Sequence, residues 1–455
     1  MPGLLVTSLK EWRRQLNMSV CDIMGDSRAA QAGVAVFAPP ARHIGLSNLY
    51  WLNWANVLTG QRMSINRLFA SSGKRTDEYI NLFKSARVAS DAGWAIWNYP
   101  LVNNLAQAEA GYTHAVTGAT ITTANVAAVA FADLQAEWES DLAAGKRLIL
   151  LTEPGATNLS AASVQALHDF NLRLKCWAEG KPGVYLFDFC ALLWAATQSG
   201  SLIRFKPGVL QPSDPTHYSA LGAYTVGKAF ADFLRSNLPA RDRAIAGVHE
   251  ARPANPRQIV ANPFFITTSG GATGANMTVS SGTVPGNTAI SATAACSVAI
   301  SNADADSGNI YGGKAITYAL TAGAAATVAR IAADSPPTSY WSVSDILETG
   351  VEIDVAANAG GAHVYSTLEI NTDKGSKNAW SMYGLTSQGA GPTEAYHMSM
   401  RTEPEPPIDG SVTVGYAAPI IYVALAANAT CSISVQRQWG YRRYPATPLP
   451  AVPVA

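Results

Sequence analysis

The chain has 455 residues, with 32 Lys+Arg balanced by 32 Asp+Glu, and only 14% of it is charged, against a usual ~25%. Zero net charge excludes a general nucleic-acid binder, which needs a basic surface to displace counterions, and no run of ~18 apolar residues is present to span a membrane. A hydrophobic share of 48% marks a folded chain, long enough for two or three domains.

The first residues, MPGLLVTSLKEWRRQLNMS, mix acidic and basic side chains where a secretion signal needs an apolar core, so no Sec signal is expected. SVCDIMGDS (19–27) reads as a short apolar strand ending in a turn. Residues 46–59 have helical periodicity, with Ser47 as N-cap. RMSINRLFA (62–70) and WAIWNY (94–99) are strands, each followed by a loop, SSGKR and PLVNNLA. A long amphipathic helix starts at Thr122 or Thr123 and stops at Gly145. RLILLTEP, a helix from SAASVQ to a Gly/Pro stop, VYLFDF, and a last helix SALGAYTVGKAFADFLRSNL complete the first half. This β-α-β-α rhythm predicts an α/β domain with a mostly parallel sheet, whose site lies beyond the carboxyl ends of the strands.

From about residue 256 the chain turns rich in Gly, Thr, Ser and Ala, with period-2 segments such as ITYALTA, GVEIDVAA, HVYSTLEIN and CSISVQRQW. These predict an antiparallel β-sandwich, jelly-roll-like. The expected division is 1–245 for the α/β domain, 246–261 for a linker, 262–440 for the sandwich and 441–455 for a Pro-rich tail. The five cysteines form no metal-ligand spacing and read as buried free thiols, with Cys296 and Cys431 as the one conceivable pair.

Three places carry chemistry. Gly25-Asp26-Ser27 puts a serine hydroxyl on a strand-to-helix turn, where backbone N–H groups converge on an oxyanion. It is not the Gly-x-Ser-x-Gly elbow, since Arg28-Ala29 follow. Asp214-Pro215-Thr216-His217 precedes the last helix; a serine needs an imidazole base, and the imidazole needs a carboxylate to fix its tautomer. Gly73, and Asn103-Asn104, follow the second and third strands and are oxyanion-donor candidates. His43, His114 and His168 have no convincing acid partner, and Trp51, Trp54, Trp94 and Trp97 read as core or cleft wall.

In this order and on these elements, the four blocks resemble the SGNH (GDSL-like) hydrolase superfamily over residues 18–240. The resemblance implies a flavodoxin-like three-layer α/β domain with Ser27 as nucleophile, His217 as general base and Asp214 as third member. It also implies an oxyanion hole of the Ser27 and Gly73 N–H groups and the Asn103 side chain, with no cofactor and no metal. The family's third block, Gly-x-Asn-Asp, reads Leu101-Val102-Asn103-Asn104 here, which leaves the donor open among Asn103, Asn104 and Asn98. Asn104, Lys74 and Trp97 are candidate substrate contacts.

In the second half, Trp341, Trp380 and Trp439, with Tyr311, Tyr365 and Tyr383, are candidates for stacking on sugar rings. The run from Asn262 to Pro285 is similar to β-domains attached to SGNH hydrolases in bacteriophage tail proteins. That similarity implies a virion esterase acting on an O-acetylated bacterial glycan, capsule or lipopolysaccharide, as a homotrimer. The alternatives are a general lipase or thioesterase, cytoplasmic or secreted without a Sec signal, and a non-catalytic receptor-binding tail protein.

Overall fold

The structure is a computed structural model and describes residues 19–35, 44–196, 202–240, 251, 255–305, 312–333, 346–373, 375–384, 386–402 and 413–443. The first half is built on five strands: β1 (Ser19–Gly25), β2 (Met63–Ala70), β3 (Trp94–Asn98), β4 (Arg147–Leu151) and β5 (Val184–Phe187). All pair in parallel, in the order β2-β1-β3-β4-β5, the flavodoxin-like order in which the chain reverses direction across β1 and β3.

The helices are α1 (Ser27–Ala30), α2 (Trp51–Val57), α3 (Thr76–Val88), α4 (Leu101–Ala108), α5 (Val126–Ala143), α6 (Ala161–Ala178), α7 (Phe189–Leu193) and α8 (Ala220–Asn237). Side chains alternate across the sheet, as strands require. Ile23, Ile96 and Ile149 pack on one face with Trp51 and Phe230. Met24, Trp97, Leu148 and Leu150 pack on the other with Leu134, Trp138, Leu167 and Phe170. The helices α2 and α8 approach closely because Gly227 has no side chain; a Cβ there would lie 2.6 Å from the Trp51 carbonyl oxygen.

Two helices differ from expectation. The predicted helix over 46–59 begins only at Trp51, and Ser47 is not its N-cap. Ser47 instead bridges to Tyr383, and the Asn48 N–H donates to the Tyr383 carbonyl at 2.9 Å. Residues 101–108, read as a loop, form α4; Leu101, Leu105 and Ala108 supply its buried stripe.

The second half is a sandwich of two six-stranded sheets. Its strands are β6 (Ala272–Thr273), β7 (Met277–Ser281), β8 (Thr288–Ala292), β9 (Cys296–Asp304), β10 (Lys314–Ala322), β11 (Thr327–Ala333), β12 (Ile346–Val355), β13 (His363–Thr372), β14 (Gly375–Met382), β15 (Tyr396–Arg401), β16 (Val414–Leu425) and β17 (Thr430–Arg443). One sheet runs β6-β8-β11-β16-β13-β14, the other β7-β9-β10-β17-β12-β15. Pairing is antiparallel except for β6 with β8 and β7 with β9 at one edge of each sheet. Ile290, Ile331, Ile421 and Val423 of one inner face meet Tyr318, Ile353, Met398 and Ile433 of the other.

The described part of the expected linker is packed rather than free. The Ile259 N–H donates to the Gly440 carbonyl, the Gly440 N–H donates to Gln258 Oε1, and both Gln258 and Ile259 are buried. The reason is apolar: Ile259 and Val260 fill a small core with Leu347 and Leu368. β17 also runs to Arg443, past the expected boundary at 440; residues 444–455 of the predicted tail lie outside the described residues. Cys296 and Cys431 are not joined by a disulfide, and Cys176 is exposed instead of buried. Among the described residues no helix is long and apolar enough to cross a membrane.

The sandwich docks on the α2/α8 side. Trp54 and Tyr224 join the sandwich core, and Trp54 meets the Tyr396 ring edge-on. Glu394 accepts hydrogen bonds from the Tyr224 hydroxyl at 2.8 Å and from Lys228 Nζ at 2.7 Å. At the same junction, His363 Nδ1 accepts from Asn48 Nδ2 at 3.0 Å. Burial lowers the His363 imidazole to about 4, from an unfolded value near 6.5. The unfolded chain therefore binds more protons between those values, and stability is lost as pH falls from 6.5 towards 4, by about 3 kcal/mol in full. Thermal unfolding followed from pH 7 to pH 4 is expected to show this slope, and His363→Gln to flatten it. An equally steep slope in the variant would assign the loss to other groups.

Candidate active site

β1 ends where β3 ends: Gly25 pairs with Asn98. A Cβ on Gly25 would lie 1.9 Å from the Asn98 carbonyl oxygen, so glycine is what lets the two strand ends close up before the chain turns into α1. Asp26 caps that turn, its Oδ1 accepting from the Arg28 N–H at 2.9 Å. Ser27 follows as the first residue of α1, half-buried.

The loop before α8 folds back on itself. Asp214 Oδ1 accepts the N–H groups of Thr216 at 2.8 Å and His217 at 2.9 Å, an Asx-type turn. Ser219 caps α8 through the Gly222 N–H and ties to the Gly208 carbonyl at 2.5 Å. The Gln211 N–H donates to the His217 carbonyl at 2.9 Å. These bonds leave the His217 ring little freedom.

The two segments, 190 residues apart in sequence, meet in one hydrogen-bonded chain. His217 Nδ1 lies 2.8 Å from Asp214 Oδ2, and His217 Nε2 lies 2.7 Å from Ser27 Oγ. With Nδ1–H donating to the carboxylate, Nε2 is the acceptor for the serine proton. Burial pushes the Asp214 carboxyl up, but hydrogen bonds from the His217 and Thr216 N–H groups and from the His217 ring outweigh it and hold it below the usual carboxylate range. The acid therefore stays ionised, as a partner for imidazolium must.

The oxyanion candidates separate. Gly73 is exposed on the loop after β2, at φ +73°, a left-handed conformation suited to glycine. Next to it, the Lys74 carbonyl accepts from Asn103 Nδ2 at 2.9 Å, so Asn103 sits with the Gly73 loop and keeps a second amide N–H. Asn104 is fully buried and committed: its Oδ1 takes the Thr76 N–H, and its Nδ2 donates to Thr76 Oγ1 and the Tyr112 hydroxyl. It is not a substrate contact. Asn98 is buried beside Arg28 and Tyr218, lining a cavity.

Trp97 is likewise not a substrate contact. It is buried on the α5/α6 face, its indole N–H donating to Asp141 Oδ2 at 3.0 Å beneath the Arg87 guanidinium. Lys74 is partly exposed and faces Glu78 at 3.7 Å. His114 has an acid partner after all, Asp133, at 3.3 Å to both oxygens; its Nδ1 accepts the Val116 and Thr117 N–H groups, so it pins a hairpin. His43 lies outside the described residues.

Sequence reasoning missed Arg28. Its guanidinium spans Glu153 with two bonds of 2.7 Å and reaches Asp26 Oδ2 at 3.1 Å, all three side chains buried. The signal was present: Arg28 adjoins the serine, and Glu153 follows β4 at a carboxyl strand end.

No protein-family model and no curated protein sequence matches the chain. Among solved structures, it is similar to a member of the lipolytic protein G-D-S-L family from Veillonella parvula, at 13% identity over 48% of this chain and 99% of that one, TM-score 0.33. It is also similar to the lipase/acylhydrolase from Enterococcus faecalis, at 13% identity over 50% and 100%, TM-score 0.32. A third similarity is to carbohydrate-binding modules from the beta-sandwich superfamily, at 13% identity over 34% and 57%, TM-score 0.24.

Proposed function

We propose that the chain is a serine esterase of the SGNH type that removes O-acetyl groups from bacterial surface polysaccharide, as a homotrimeric component of a phage tail. One observation carries the chemistry: the Asp214–His217–Ser27 chain at 2.8 and 2.7 Å, within the hydrogen-bond reach a nucleophile and its base require. The glycan and tail assignments are supported by the sequence similarity of the Asn262–Pro285 run to tail β-domains and by a chain of which only 14% is charged, which suits neutral glycans.

The reaction runs in two halves. Ser27 Oγ attacks the ester carbonyl carbon while its proton passes to His217 Nε2, and Asp214 stabilises the imidazolium. The oxyanion is held by the Ser27 and Gly73 N–H groups and the remaining Asn103 amide N–H. The intermediate collapses, the sugar hydroxyl leaves with the proton from His217, and acetyl-Ser27 remains. Water then attacks the acetyl carbon, giving a proton to His217, and the second tetrahedral intermediate expels Ser27 Oγ, which takes that proton back from His217 as acetic acid departs. Acetate release from O-acetylated capsule or lipopolysaccharide is expected with the wild-type protein and not with Ser27→Ala. Equal release from both would sink the assignment, and activity confined to long-chain esters or thioesters would replace it with the lipase or thioesterase reading.

A further inference from the structure

Of the six aromatic residues singled out in the second half, three come together and are joined by a fourth, Tyr422. Trp439 is buried elsewhere under Arg401, and Trp341 and Tyr311 lie outside the described residues. Tyr365, Trp380, Tyr383 and Tyr422 form one cluster, separate from the sandwich core.

The register shows which way they face. Arg330, Tyr422 and Tyr365 lie side by side across β11, β16 and β13. Ile331 and Ile421, one residue away on two of those strands, belong to the core. A one-residue step reverses the face in a strand, so the aromatic row lies on the outer side of the sheet. Tyr365 and Tyr422 stack at 5.2 Å and 18°, while Trp380 meets Tyr383 at 4.8 Å and 68°. The result is two ring pairs set at different tilts. Tyr383 and Tyr422 are half-buried and form the accessible surface, backed by the buried Tyr365 and Trp380, which are 7% and 9% exposed. The rim is polar and mixed in sign: Glu369 accepts from the Tyr416 hydroxyl and faces Arg330 at 3.8 Å.

The patch is tied through the backbone to the segment that follows α1. Ala32, five residues after Ser27, accepts the Ser47 N–H at 3.4 Å, and Ser47 bridges to Tyr383. Two strand spacings of about 5 Å each thus separate the segment after α1 from the patch.

We propose that the Tyr365–Trp380–Tyr383–Tyr422 patch is a glycan-binding subsite, holding pyranose rings of the same polymer whose acyl group Ser27 attacks. This rests on the glycan substrate proposed above. Pyranose rings present C–H faces that pack on aromatic faces, and their hydroxyls need the donors and acceptors that Arg330 and Glu369 place at the rim. A second copy of the chain is a poorer occupant. Four rings of roughly 150–250 Å² each, already mostly buried, leave far less than the ~1,200 Å² of a stable protein interface.

The test uses the full chain with Ser27→Ala, so that substrate persists. The probes are O-acetylated capsular and lipopolysaccharide glycans and their de-O-acetylated forms. Binding is expected to both forms, because the patch contacts rings and not the acyl group. Adding Tyr422→Ala should weaken binding about tenfold or more, whereas Tyr422→Phe, which keeps the ring, should stay within about threefold. With Ser27 intact, Tyr422→Ala should hydrolyse a small acetyl ester at the wild-type rate. Undiminished affinity in Tyr422→Ala, or no binding to any glycan, overturns the proposal. So does loss of small-ester turnover in step with binding, which would make the patch a structural support. A fall in solution mass without loss of affinity would assign it to a second copy. Tyr422-dependent binding without acetate release would refute the deacetylase reading and leave the subsite standing.

Discussion

Ser27→Ala is expected to cut hydrolysis of a small acetyl ester by on the order of 10⁴-fold or more with no loss of fold. The hydroxyl makes one side-chain bond, to His217, and sits half-buried at the end of β1, so deleting it costs the structure little. It costs the chemistry its nucleophile. His217→Ala should be about as damaging, and the double variant no worse than either single one, since both remove the same step. Asp214→Asn tests orientation instead of attack: an amide in place of Oδ2 would favour the tautomer whose Nε2 carries the proton, and turnover should fall by about 10⁴-fold. The backbone bonds from Thr216 and His217 go to Oδ1, which asparagine keeps, so the turn survives. Kinetics on the three single variants and the double variant check this. Losses that multiply would mean that Ser27 and His217 act independently, and the hydrogen-bonded chain would then be incidental.

The parallel sheet was legible because its inner strands β1, β3 and β4, largely buried on both faces, read as apolar runs, and each of the five matches its run within a few residues. Periodicity placed the serine turn and the Asp214/His217 loop at strand and helix ends, but their roles came from the resemblance carried by the order of the four blocks. What escaped was whatever depended on contacts distant in sequence. Ser47 looks like an N-cap until Tyr383, over 300 residues away, takes its backbone pairing. Residues 255–261 look like a polar linker until Ile259 and Val260 meet Leu347 and Leu368. Asn103 and Asn104 are indistinguishable as neighbours in a loop, but on a helix adjacent residues point about 100° apart. One turns to the Gly73 loop and the other into the core. Trp97 reads as a cleft aromatic by its place near a strand end, yet strand alternation sends it to the far face of the sheet.

Arg28→Met is expected to be among the most destabilising single changes in the first half, by about 3–5 kcal/mol. Burial works against the guanidinium charge, but Asp26 and Glu153 outweigh it and hold it above the usual range for arginine. Removing it strands two carboxylates, one fully buried and the other nearly so. Asp26 is also the cap of α1, so the same loss loosens the turn that presents Ser27. Turnover should therefore fall more than KM rises. Arg28→Lys should rescue only part, because an ammonium cannot span Glu153 with two parallel bonds. Glu153→Leu combined with Arg28→Met should be less damaging than Arg28→Met alone, since it removes one of the stranded charges. Thermal unfolding reads this directly. At roughly 2–4 °C per kcal/mol for a domain of this size, Arg28→Met should lower the melting temperature by about 10 °C. A variant melting within a degree or two of wild type would mean that the pair contributes little to the turn, and that Asp26 alone holds Ser27 in place.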